Sequence, residues 1–230
     1  MKSWNQALLT RFSFSSGMLI LSSAVCAAML LVRAIAYGDF AYRFLAWNLA
    51  LAWIPLLAAA GAAIAVQRGA RIGWLIAAPL LLIWVVFLPN APYLITDMVH
   101  WRPQSNWQGW FELLMFMTFA WTGCLLGIAS VRLLQEVVIA RLGALAGWLL
   151  VLLASAASGI GVYVGRFLRF NSWDLASASG DDVVMQTLGL LLHPRRNALP
   201  LAFSATLAVF FLVVYSTIFA VGARNRSTAT

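Results

Sequence analysis

Between Phe87 and Trp101 an apolar run is broken by Pro89 and Pro92 and takes on Asn90, Tyr93, Asp97 and His100. A second polar stretch, Tyr163 to Asp174, carries Arg166, Arg169, Asn171, Trp173 and Asp174. If Asn90 caps a short helix beginning at Ala91, Pro92 falls in the first turn, where its missing amide donor costs nothing. Tyr93, Asp97 and His100 then stand at i, i+4 and i+7 on one face. A carboxylate and an imidazole one turn apart suit a general acid–base pair, two metal ligands or an acid-oriented His. They suit equally a bland arrangement in which Asn90 only caps, Asp97 pairs with an arginine and His100 sits among headgroups. Arg166 and Arg169 share a face at a helix end, and their planar forks match a carboxylate or phosphate. Snorkelling to the headgroups is the plain alternative. Asn171 can end that helix, and Asp174 can pair with either arginine.

The elements that position these groups must be membrane helices. Of 230 residues, 63% are hydrophobic and 10% charged, with mean hydropathy +0.89, whereas a soluble domain is about 45–50% apolar and about 25% charged. The net charge of +8 is spread through short loops without a basic, aromatic-interleaved block, so a nucleic-acid partner is not expected. Cys26 and Cys124 lie inside apolar runs, which excludes a disulfide framework or a cysteine zinc site.

The chain reads as an all-α polytopic membrane protein, one transmembrane helical domain over 1–230 with short interfacial helices. Spans are expected near 15–36, 44–66, 72–88, 111–134, 142–164 and 199–221. Pro55 marks a kink in the second. The third stops early because Pro89 and Pro92 remove donors and push Leu88 and Ala91 towards extended backbone. Non-helical backbone at that depth must be buried in protein or line a wet cavity. In the fifth span Ala157, Gly161 and Gly165, and also Ser155 and Gly159, recur at four-residue spacing, which predicts close helix contact and a central place in the bundle. Ser177 to Asn197 is too short to span; Val184, Leu188 and Leu191 share a face of an interfacial helix ended by Pro194.

Six spans place both termini on one side. That side carries its basic residues in short loops and tails, Arg68 and Arg71 among them, so the positive-inside tendency puts the termini in the cytoplasm of a bacterial inner membrane. Arg33, near the end of the first span, is expected to snorkel. Charge balance then predicts contact between Asp97 and Asp174 on one hand and Arg166 and Arg169 on the other. They would face each other across a pocket roofed by Trp101, Trp107 and Trp173.

Several blocks carry a resemblance: Phe87 to Tyr93 with Asp97 and His100, Phe119-Ala120-Trp121-Thr122-Gly123, and Tyr163 with Gly165 to Arg169 and Asn171 to Asp174. Together they resemble the bacterial membrane family catalogued as domain of unknown function 1361. The resemblance implies a membrane fold and supplies no catalytic residues, activity or cofactor.

Three readings follow. The first is a membrane-embedded binding protein holding an anionic small molecule or lipid headgroup at Asn90, Tyr93, Asp97, His100, Arg166, Arg169, Asn171, Trp173 and Asp174. The second is a structural or assembly protein whose polar groups only lock the bundle. The third is a membrane hydrolase or transferase using Asp97 and His100, with or without a metal on Asp174 or His193. Against the third, the chain lacks a His-Glu-x-x-His motif, a Gly-x-Ser-x-Gly elbow and a P-loop.

Overall fold

The computed structural model describes residues 2–67, 70–177 and 180–227, with side chains placed over 16–67, 71–177 and 180–222. The turn at Arg68 and Gly69, and the side chains of Lys2, Arg11, Arg224 and Arg226, which belong to the topology argument, lie outside these residues. The described residues are helical and contain no strand. They form α1 (Lys2–Tyr37), α2 (Arg43–Gln67), α3 (Ala70–Phe87), α4 (Asn90–Thr96), α5 (Trp107–Leu142), α6 (Ala144–Arg166), α7 (Gly180–Leu192) and α8 (Ala198–Ser227). Single 3₁₀ turns at Asp97–His100 and Ser172–Ala176 complete them.

Six stretches are long and apolar enough to cross a bilayer: Ser16–Tyr37, Arg43–Gln67, Arg71–His100, Trp107–Leu142, Ala144–Arg166 and Ala198–Gly222. The protein is therefore a multi-pass, all-α membrane protein. The third crossing includes α3, which ends at Phe87 before the prolines, then the expected short helix, α4, and the 3₁₀ turn; all of it lies within one apolar stretch, Arg71–His100. The interruption falls where protein covers it: Leu88, Ala91, Pro92 and Leu94 are all buried.

The fifth span was expected at the centre. Instead α5 is the axis, with 67% of its most apolar stretch buried against 39% for α6. α5 is flanked by α1, α2, α4 and α6. Small residues explain the close approaches. A Cβ on Gly123 of α5 would meet the Ala91 carbonyl and Leu94 of α4, and one on Gly161 of α6 would run into the Pro89 ring. The proline-broken segment is thus seated between two glycines. A Cβ on Gly159 would meet the Ser204 carbonyl, so the small-residue stripe of α6 serves its contact with α8.

One apolar core joins α2, α3, α5, α6 and α8 around Trp84, Val131, Phe211 and Tyr215; a second joins α1, α2, α4 and α5 around Leu45, Phe116 and Phe119. Successive crossings alternate direction. The loop between α1 and α2, the 101–106 loop and the described residues of the 167–197 segment therefore share one end of the bundle, hereafter the site end.

Candidate functional site

Asp97 stands where α4 gives way to the 3₁₀ turn and is 1% exposed. A carboxylate sealed at this depth needs partners, and it has two. Arg166 at the end of α6 donates from Nη2 to Oδ1, and Asn48 of α2 donates to Oδ2 at 2.8 Å. The rest of the guanidinium is also engaged. Nε and Nη2 donate to Thr96 Oγ1 at 3.0 and 2.8 Å, Nη1 lies 3.1 Å from His100 Nε2, and Cζ sits 4.3 Å from the centre of the Tyr93 ring. Tyr93, Asp97 and His100 do converge on one partner, although the helix tightens to 3₁₀ before His100. Phe44 closes the far side of His100, ring edge to face at 5.1 Å.

Asn90 does not cap α4. The helix begins at Asn90 itself, and its amide turns back to donate to Phe87 O at 3.0 Å and to Ser172 Oγ at 2.8 Å. Ser172 donates in turn to Val86 O at 3.1 Å. Asn90 and Ser172 therefore finish α3, supplying partners for carbonyls that the proline break leaves open.

Asp174 does not meet either arginine. It accepts from the Asn171 backbone N–H at 2.6 Å, a local cap of the 3₁₀ turn. Arg169 is exposed and makes no hydrogen bond or ion pair among the described residues. Its φ of 62° is left-handed, a conformation that glycine adopts far more easily than arginine. This residue turns the chain out of α6, and Phe170 N reaches back to Val164 O.

The pocket differs from the expected one. A cavity of about 510 Å³ opens between α2, the end of α3, α4, α6 and α7. Of the anticipated residues, Asn90, Tyr93, Asn171 and Trp173 line it, whereas Asp97, His100, Arg166, Arg169 and Asp174 do not. Trp101 and Trp107 do not roof it. Trp101 donates to Gly109 O and packs beside the α1/α2/α4/α5 core, and Trp107 is 76% exposed against Phe111. Trp173 does border it, edge-on to Trp47 with ring centres 6.4 Å apart. Val184, Leu188 and Leu191 of α7 supply a wall, so the apolar face of that helix is turned to the cavity. The lining is mainly apolar, with Asn48, Asn90, Tyr93, Asn171, Ser172 and Thr187 as its polar members.

Sequence reasoning missed a second charged cluster at the same end. Arg33 does not snorkel: it is 5% exposed, donating from Nε to Glu112 Oε1 at 3.2 Å and from Nη1 to Asp39. Glu112, 1% exposed, also accepts from Tyr42 Oη at 3.0 Å and Gln108 Nε2 at 3.2 Å. Burial, and then the Glu112 carboxylate, raise the Tyr42 hydroxyl above its ordinary value. The Ala41 N–H, and then Arg33, hold Asp39 below its own. The missed signal was one acid and one base, each alone in a long apolar run.

Among the described residues no three of His, Cys, Asp and Glu gather as a metal-holding group; His193 follows the end of α7. The model of the family described as "Protein of unknown function (DUF1361)" matches residues 47–219. No curated protein and no solved structure matches the chain.

Proposed function

Since this chain belongs to the DUF1361 family, a description that assigns no reaction, we propose a role from the site: a membrane-embedded protein that binds a lipid-like amphiphile. The supporting observation is the mainly apolar cavity of about 510 Å³ at the site end, within the range of small-molecule pockets. The apolar chain occupies the cavity and the headgroup lies at its rim. Arg169, next to the cavity-lining Phe170, is the unpaired cation that meets an anionic headgroup there. Arg166 is spent on Asp97, Thr96 and His100 and serves to hold α4 against α6.

The address that goes with this role is the bacterial inner membrane, both termini cytoplasmic and the cavity on the outer side, supported by the basic residues in the short loops of the terminal side. Native mass spectrometry of the protein extracted in mild detergent tests the binding role. A retained lipid is expected, lost when Ala157→Trp fills the cavity; a chain that emerges free of lipid from several mild detergents overturns it.

The structural reading keeps one observation in its favour, the complete satisfaction of the Asp97–Arg166 pair. It does not account for the cavity beside that pair.

A further inference from the structure

The polar atoms left over on Asn48, Asn90 and Thr187, three of the residues that line the cavity, are of one kind. Ser172 gives its hydroxyl hydrogen to Val86 O, and Asn90 gives one amide hydrogen to Phe87 O and the other to Ser172 Oγ. Backbone carbonyls only accept, so the direction of this chain is fixed and the amide nitrogen of Asn90 must face them. Asn90 has then used both hydrogens, and what remains is its carbonyl oxygen. Asn48 repeats the pattern: its nitrogen must face the Asp97 carboxylate at 2.8 Å, which leaves its oxygen. Thr187 gives its hydrogen to Val183 O at 2.7 Å and keeps its lone pairs. Neither Asn oxygen is among the sealed, unpartnered atoms of the protein, so both are open to a partner. Neither Arg166 nor Arg169 lines the cavity; the uncommitted donors in its wall are the Tyr93 hydroxyl and the indole N–H groups of the exposed Trp47 and Trp173.

Where Asn48, Asn90 and Thr187 offer only acceptors among apolar walls, the group placed against them must donate. An ester or phosphate oxygen placed against Asn90 and Asn48 would meet oxygen with oxygen and lose its water for nothing. We infer that the polar part of the occupant carries hydrogen-bond donors, hydroxyl or N–H, attached to an apolar chain. A mainly apolar cavity of about 510 Å³ is large enough to take one long acyl chain.

This inference rests on the binding role proposed above, and the experiment separates the two. Native mass spectrometry of the full chain in detergent is titrated with three ligands of the same chain: 1-monooleoylglycerol, oleamide and methyl oleate. The first offers hydroxyl donors, the second N–H donors, the third none. The expected result is one molecule bound per chain, with the better of the two donor ligands about tenfold tighter than methyl oleate, as two neutral hydrogen bonds allow. Whichever donor ligand leads tells hydroxyl from N–H. Equal affinity for all three overturns the donor inference and leaves the binding role standing. Failure of all three to bind, or binding undiminished in both Ala157→Trp and Leu188→Trp, overturns both. The second variant lies on α7 and fills the cavity from outside the bundle, so a folding defect in the first does not decide the outcome.

Discussion

Two charged clusters occupy the same end of the bundle and differ in what lies beside them. Between α1 and α5, Arg33 is held by Glu112 and Asp39 and covered by Tyr42, its Cζ 4.6 Å from the ring centre. None of Arg33, Asp39, Tyr42 and Glu112 lines the cavity described above. Between α4 and α6, Arg166 is held by Asp97, but Asn48 and Tyr93, which touch that pair, also form the cavity wall. Both clusters do the same electrostatic work of pinning a span end. Only the second shares its supports with a space a ligand can fill, so the charged pair by itself is not the mark of a binding site.

Stranding one charge of each cluster gives the largest effects. Arg166→Leu leaves Asp97 with Asn48 alone, and a loss of about 3–5 kcal/mol is expected from unfolding in detergent. Arg33→Leu is expected to fall at the lower end of that range, because Tyr42 and Gln108 still donate to Glu112. Adding Asp97→Leu to Arg166→Leu should restore much of the loss; if the two losses simply add, the pair is not a coupled unit.

Trimming one support of each carboxylate is a finer comparison. Tyr42→Phe and Asn48→Ala each remove a hydrogen bond to a carboxylate, worth about 1.5–3 kcal/mol. Only the second should also weaken lipid retention in native mass spectrometry. Equal retention in both would erase the distinction between the clusters.

At Arg169 stability and binding part company. Arg169→Gly relieves a left-handed backbone, for a gain of about 1 kcal/mol in thermal unfolding, while the preference for anionic over neutral lipids falls. The smallest effect belongs to Asp39. Its carboxyl is held below the ordinary value, so its contribution is fully present above that value and is lost as pH falls through the lower, folded one. Asp39→Asn should flatten this acid limb of a stability–pH curve measured in detergent.

Much of this was legible in the sequence. The apolar runs set the membrane class, and the demand that buried charges be paired brought Asp97 to Arg166. The same demand, applied to Arg33 and Glu112, would have paired them. Arg33 lies near a span end, where snorkelling is the ordinary expectation, and Glu112 stands at the start of the fourth span, where an acid looks interfacial. Asp174 and Asn90 were misplaced for another reason: short polar side chains find backbone partners locally, and sequence spacing does not tell such a bond from a long-range one. The cavity was not legible, since it depends on α7 and α6 facing the same space, which no spacing within either helix encodes.

The bridge from Asn90 through Ser172 to Val86 has a mechanical consequence. It ties the last turn of α3 to the 3₁₀ turn that carries Trp173, two parts of the chain more than eighty residues apart. If the Trp173 turn swings outward to let a molecule in, it must tug on the carbonyls of Val86 and Phe87, where surrounding hydrocarbon offers no replacement donors. Opening and unwinding of a membrane span are thereby geared together at this one serine.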